Sequence, residues 1–200
     1  MMFAAREDSP VRRLILNDIG PFVSAAAIEQ FVSLMGSDVV LKNLESAMTY
    51  FKGVYSASGI TDDADWSDFI TRSVNREVDG SYSLHYDPAI IDELNTISGD
   101  LNFWDVYEKI DCPVLVLRGK YSNVLSEGTA ERMVQTGPKA QLIEFENCGH
   151  APALIDPEQL AAISNWLNET EAVPETQEVS VENDETDKDE NVSEIKVNID

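Results

Sequence analysis

Two side chains that could take part in proton transfer lie near the ends of predicted strands. His150 follows Gly149, a few residues beyond the strand predicted at 141–145, and Asp18 follows the apolar run Leu14-Ile15-Leu16. An imidazole changes its charge near neutral pH, so it can accept and release a proton during a reaction. Ligands of open parallel sheets bind beside the carboxyl ends of the strands. This position favours a functional role for His150, although a lone histidine is more often a hydrogen-bonded structural residue.

The elements that would position these residues alternate between strands and helices. Pro113 to Gly119 is an apolar run typical of a buried strand, and Ser126 to Gln135 has the pattern of a helix. Gln141 to Phe145 is a second predicted strand, and Asp156-Pro157 then supplies an N-cap and a first-turn proline for a last helix. This alternation predicts an α/β fold with three parallel strands, counting residues 14–16, and flanking helices.

The rest of the chain divides by composition. Helical periodicity dominates the middle, with an extended segment at Tyr82 to Tyr86 and a helix after Asp87-Pro88. Beyond Leu167 the sequence is acidic and lacks aromatic residues, which is typical of a disordered segment. The predicted organisation is a core strand with the end of a helix before it (1–27), a helical lid or cap (28–101), a C-terminal α/β core (102–167) and a disordered acidic tail (168–200).

The charge of the chain excludes one class of partner and leaves another open. The net charge is −23, and twelve of the acids but only two of the lysines lie in residues 168–200. Nucleic-acid binding needs clustered Lys and Arg, so we expect no nucleic-acid partner. No apolar run approaches the ~18 residues of a membrane span and no signal peptide is evident, so we expect a cytoplasmic protein without membrane contact. The tail is either a solubilising extension or a docking segment for a basic protein.

Several motifs in order along the chain resemble the last third of α/β-hydrolases. They are the strand from Cys112 to Gly119 and, after Phe145, the loop Gly149-His150-Ala151-Pro152. Residues 14–21 resemble the strand that follows the nucleophile helix in that fold, and the region from Trp66 through Tyr86 to Trp104 resembles its inserted lid. The resemblance covers about residues 1–167, and the continuous order makes it specific.

The resemblance implies hydrolysis by a triad of nucleophile, histidine and acid, without a cofactor. His150 occupies the position of the catalytic base. Asn123 occupies the position where the family places its aspartate, so Asp18 is a possible substitute acid; the alternative for Asp18 is a turn residue before Gly20-Pro21. Trp66 and Trp104 could line a substrate pocket beneath the lid, although packing of the lid explains them equally well.

One part of the family's machinery has no counterpart in these 200 residues. No Gly-x-Ser-x-Gly occurs, and the strands that build the oxyanion hole are missing. We therefore expect a truncated, inactive form of a hydrolase whose parent acts on a small ester, lactone or similar substrate. The alternative is a non-catalytic binding or scaffold module with an acidic docking tail. His85 and His150 lack metal-ligand spacing, so no metal is expected, and Cys112 and Cys148 are too far apart in the predicted sheet for a disulfide.

Overall fold

The computed structural model describes residues 1–35, 39–87 and 89–169 of the chain. Pro88, which the sequence analysis places in the first turn of a helix, lies outside the described residues. The predicted disordered tail lies outside them from residue 170 onward. Residues 168 and 169 of the predicted tail belong to the last helix, α7 (Pro157–Glu169).

The three predicted strands form one parallel sheet. β1 (Leu14–Asn17), β6 (Val114–Gly119) and β7 (Gln141–Phe145) lie in the order β1-β6-β7. Leu14 pairs with Val114, and Leu115 pairs with Gln141, so all three strands end at the same edge. Strand β6 is the middle strand and is buried along its whole length. The α/β prediction is confirmed.

Each face of the sheet is covered by a helix. The side chains of β6 point alternately to the two faces and are buried on both. Val114 and Val116 pack on one face against Met133 of α6 (Glu127–Gln135). Leu115 and Leu117 pack on the other face against Trp166 of α7. Successive residues of a strand point to opposite faces, so a continuous apolar run is the pattern of a strand buried on both sides.

A short antiparallel ribbon marks where the chain leaves the core and returns to it. β2 (Phe22–Val23) pairs with β5 (Leu101–Asn102), directly before α5 (Trp104–Tyr107). The Asp100 carboxylate accepts a hydrogen bond of 2.8 Å from the Ala25 amide at the start of α1 (Ala25–Met35). The two ends of the long excursion therefore lie side by side, close to the predicted bounds of the lid.

The excursion combines helices with one hairpin. Its further helices are α2 (Leu44–Val54), α3 (Asp63–Ser73) and α4 (Ala89–Leu94), and its hairpin joins β3 (Val74–Arg76) to β4 (Tyr82–Leu84). Residues 82–84 of the predicted extended segment are strand β4, and residues 85 and 86 lie beyond its end. The lid has its own apolar cluster of Leu41, Ala47, Phe51, Trp66 and Ile70.

The first eight residues differ from the prediction. They form turns, with a hydrogen bond from the Ala5 amide to the Met1 carbonyl, and not the end of a helix. Ala4 and Met1 nevertheless pack against the cluster beneath the sheet. Among the described residues, none of the helices combines the length and hydropathy that crossing a bilayer requires.

Candidate active site

The structure brings His150 and Asp18 into direct contact. Asp18 follows β1 and His150 lies in the loop after β7, and both loops emerge at the carboxyl edge of the sheet. The imidazole Nδ1 lies 2.8 Å from Asp18 Oδ2. The Asp18 side chain is fully buried, whereas a third of the His150 side chain is exposed. A buried carboxylate beside a partly exposed imidazole is the arrangement of an acid that orients a base.

Asp18 is fixed by further hydrogen bonds on both carboxylate oxygens. The Gly119 amide donates to Oδ1 at 3.0 Å, and the Ser122 hydroxyl donates to Oδ2 at 2.6 Å. Asp18 adopts a left-handed backbone conformation with φ 55°, which Asp tolerates better than most residues. These donors compensate the cost of burying the carboxylate, and they leave Oδ2 facing the imidazole.

Ser122 was not singled out from the sequence, although its loop was. Its oxygen accepts hydrogen bonds from the amides of Val124 (3.2 Å) and Leu125 (3.0 Å). With its acceptor sites engaged, the hydroxyl proton is directed to Asp18. This contact joins positions 104 residues apart, so no local pattern could predict it.

Asn123, which the resemblance places at the acid position, lies in a different environment. Its side chain is exposed, and its amide nitrogen donates at 2.7 Å to Gln30 Oε1 of α1. The carboxylate that contacts His150 belongs to Asp18. The reason is geometric: β1 pairs directly with β6, so the end of β1 lies beside the end of β6 and can supply the acid in its place.

The histidine loop is held against the core and the lid by backbone contacts. The Gly149 amide donates to the Ala57 carbonyl at 2.6 Å, and the Tyr121 amide donates to the Cys148 carbonyl at 3.1 Å. A Cβ at Gly119 would lie 2.2 Å from the Gly149 carbonyl oxygen, so only glycine permits this approach of the two loops. Burial, and secondarily the charge of Asp18, raise the pKa of the Cys148 thiol to about 11.

A cavity of about 370 Å³ lies beside His150. Its walls come from α1, from the segment after α2 and from the loop after β6, and they include Phe31, Leu34, Tyr55, Tyr121 and Asn123. Phe31 and Leu34 are 41% and 42% exposed because they face this space and not the protein core. The volume is within the range of small-molecule sites, which starts at about 300 Å³.

Neither predicted pocket tryptophan lines this cavity. Trp66 is buried in the apolar cluster of the lid and packs edge-to-face with Phe69. Trp104 is buried beneath the sheet, where it packs edge-to-face with Tyr107 and beneath the Arg132 guanidinium at 3.8 Å. Packing accounts for both, since large aromatic side chains contribute most of the buried area of small clusters. No group of His, Cys, Asp and Glu suited to a metal ion occurs within the described ranges.

Solved structures share the fold of this chain. A protein from Rickettsia typhi that is described as a hydrolase is 33% identical, with a TM-score of 0.77 over 84% of this chain and 57% of that one. An α/β hydrolase from Novosphingobium aromaticivorans is 26% identical, with a TM-score of 0.72 over 82% of this chain and 59% of that one. The chain belongs to the α/β-hydrolase fold family.

A sequence relative points the same way. This α/β-hydrolase chain is 31% identical over 171 residues to a 3-hydroxybutyrate-oligomer hydrolase of Cupriavidus necator, covering 80% of this chain and 58% of the relative. No protein-family model matches the sequence. The chain thus spans less than three fifths of the length of these relatives.

Proposed function

We propose that His150 and Asp18 are the base and the acid of a hydrolase that cleaves a small ester, lactone or similar substrate. The observation that carries this proposal is the 2.8 Å contact between His150 Nδ1 and the buried Asp18 carboxylate at the carboxyl edge of the sheet. Relatives described as hydrolases support it. Because one relative acts on 3-hydroxybutyrate oligomers, short oligomers of this kind belong among the first substrates to test.

The geometry defines what each group would do. With its proton on Nδ1 and donated to Asp18, the imidazole has a free lone pair on Nε2. That lone pair takes the proton of the nucleophile as its oxygen attacks the ester carbonyl, and the proton then passes to the departing alcohol. In the second half of the reaction the imidazole takes a proton from water as the water oxygen attacks the acyl carbon, and this proton returns to the oxygen of the nucleophile as the acid departs. Asp18 stabilises the imidazolium in both halves.

The proposal includes the source of the nucleophile. These 200 residues contain no Gly-x-Ser-x-Gly, and they span 57% of the Rickettsia typhi protein. We infer that the nucleophile and the oxyanion donors belong to strands of the family fold that these residues do not include. The isolated 200-residue chain is then an inactive form, and we expect it to hydrolyse short esters no faster than buffer does.

Imidazole tautomers test the role of Asp18 in the isolated chain. Nitrogen NMR of His150 should show the proton on Nδ1. In Asp18→Asn, the amide oxygen must accept the Gly119 amide, which leaves the amide nitrogen facing Nδ1. The proton of the imidazole should then move to Nε2, whereas Asn123→Ala should leave it on Nδ1. An unchanged tautomer in Asp18→Asn would overturn the assignment.

Activity tests the same residues in a complete fold. The chain can be joined to the part of the Rickettsia typhi protein that it does not cover, with nitrophenyl acetate as substrate. We expect Asp18→Asn to lower kcat by about 10⁴, as loss of the correct tautomer does in other triads. His150→Ala should lower it at least as far, and Asn123→Ala, which changes a wall of the cavity but not the partner of the imidazole, should lower it far less. Equal losses in Asn123→Ala and Asp18→Asn would overturn the assignment of the acid to Asp18.

A further inference from the structure

A second cavity lies inside the lid, away from the sheet. It has a volume of about 340 Å³ and lies between α1, α2, β4 and α4. Its walls are Phe31, Met35, Tyr50, Phe51, Tyr55, Arg72, Ser73, Leu84, His85, Tyr86, Ile90 and Ile91. None of the elements that build it belongs to the parallel sheet, so this cavity is a property of the lid alone.

The lid cavity adjoins the cavity beside His150. Phe31, Met35 and Tyr55 line both. Phe31 and Met35 lie one turn apart on α1, so a single face of that helix forms the common wall. The two cavities are therefore adjacent, and the lid cavity is the space nearest to a ligand that has one end beside His150.

The walls of the lid cavity fit an uncharged, apolar ligand. Burial raises the pKa of Tyr50 and Tyr55, and the neighbouring Tyr86 adds to both shifts, so the phenols stay neutral at ordinary pH. The hydroxyls of Tyr50 and Tyr86 donate to the carbonyls of Leu34 and Met35 at the end of α1. These contacts satisfy carbonyls that a helix end leaves without partners.

The polar groups at the rim are also engaged within the lid. The Arg72 guanidinium forms an ion pair with Asp68 at 2.9 Å, one turn earlier on α3. The His85 Nδ1 lies 3.2 Å from the Arg72 carbonyl. The wall itself is built from Phe, Leu, Ile and Met side chains together with the tyrosine rings, which favours hydrocarbon over a charged group.

We propose that the lid cavity binds the aliphatic end of a medium-chain ester while the ester group lies beside His150. This rests on the proposed function, because it assigns the far end of the same substrate. Each methylene buried there should tighten binding roughly threefold to fourfold. The substrate class is thus an ester with an aliphatic chain that lies along Phe31, Met35 and Tyr55.

Direct binding tests the cavity without any catalysis. Octanol and butanol are titrated into the 200-residue chain, and the methyl NMR signals of Leu84 and Ile91 report binding. We expect octanol to bind at least tenfold more tightly than butanol. Leu84→Trp and Ile90→Trp each add bulk to the wall and should weaken octanol at least tenfold. Val78→Trp is the matched control, because Val78 is fully exposed in the β3–β4 hairpin.

The outcomes separate this inference from the proposed function. In the joined protein, Ile90→Trp should lower kcat/KM for octanoate esters at least tenfold more than kcat/KM for acetate esters. If octanol binds but the joined protein hydrolyses no ester, the proposed function is overturned, whereas the assignment of the lid cavity as an aliphatic binding site is retained. Ester hydrolysis with equal effects of Ile90→Trp on both chain lengths, or octanol binding unaffected by both tryptophan variants, would overturn the cavity's role.

Discussion

At the scale of single residues, the hydroxyl of Ser122 is both a hydrogen-bond donor and a hydrogen-bond acceptor. It accepts two backbone amides and donates to the Asp18 oxygen that faces His150. Hydrogen bonds to charged groups contribute about 1.5–3 kcal/mol each. Ser122 is therefore a positioning residue, which acts on the imidazole through Asp18.

Ser122→Ala should make Asp18 a less constrained partner of the imidazole. We expect the free energy of unfolding to fall by about 1.5–3 kcal/mol, and the Nδ1–H tautomer of His150 to lose population in nitrogen NMR. Ser122→Thr keeps the hydroxyl and should restore both. Ser126→Ala is a matched control, since Ser126 caps α6 through the Thr129 amide but does not contact Asp18. A similar tautomer change in Ser126→Ala would contradict the positioning role.

The Cys148 thiol should be inert in the folded chain. Its pKa of about 11 lies above the usual value of 9, and only 2% of the residue is exposed. The thiolate is the reactive form, so alkylation by iodoacetamide at pH 8 should require unfolding. Mass spectrometry after a timed exposure, with and without urea, measures this. Rapid labelling of Cys148 without urea, compared with the half-buried Cys112, would show that the loop opens.

Local sequence patterns were sufficient to predict where His150 lies relative to its strand, but not to predict that Asp18 contacts it. An apolar run, a glycine and a histidine are adjacent in sequence, so their arrangement can be predicted. The choice between Asp18 and Asn123 depends on which strand ends are neighbours and on the backbone turn at Asp18, and the contact spans 132 residues. The burial of Trp66 and Trp104 could not be predicted from the sequence either, because an aromatic residue in a lid fits either a pocket wall or a packed cluster.

At the scale of elements, the end of β6 and the histidine loop approach so closely that no side chain fits between them. Gly119→Ala would place a Cβ 2.2 Å from the Gly149 carbonyl oxygen and 2.7 Å from that of Cys148. We expect the loop to shift, with loss of the His150–Asp18 contact and a lower midpoint of urea unfolding. Gly128→Ala is the control: a Cβ there meets nothing within 4 Å, and α6 should gain about 1 kcal/mol.

The first turn of α1 depends on a residue from the far end of the lid. Asp100 accepts the Ala25 amide across 75 positions of sequence. Because a lost N-terminal cap costs about 0.5–2 kcal/mol, Asp100→Ala should lower the free energy of unfolding by that amount. Denaturation with urea measures it, with Asp105→Ala in α5 as a carboxylate control. An unchanged midpoint in Asp100→Ala would mean that water replaces the carboxylate without cost.

At the scale of the whole molecule, like charge opposes the compact state. The net charge of the chain is −23, and residues 170–200 contain eleven of its acids and two of its lysines. Salt screens repulsion between exposed charges, with a Debye length of about 10 Å at 0.1 M. The melting temperature should therefore rise between low and moderate salt, and rise less after removal of residues 170–200. An equal rise in both forms would place the repulsion within the body of the chain.

The ribbon of β2 and β5 gives the molecule a modular construction. Phe22 lies opposite Asn102, so the two backbone positions that bound the lid are cross-strand neighbours although about eighty residues separate them in sequence. A different lid can be grafted at this junction without moving a residue of the parallel sheet, provided that it keeps a carbonyl in place of that of Ala57 for the Gly149 amide. Under the proposed function, the stretch that determines substrate choice can then be exchanged while the residues that transfer the proton are kept.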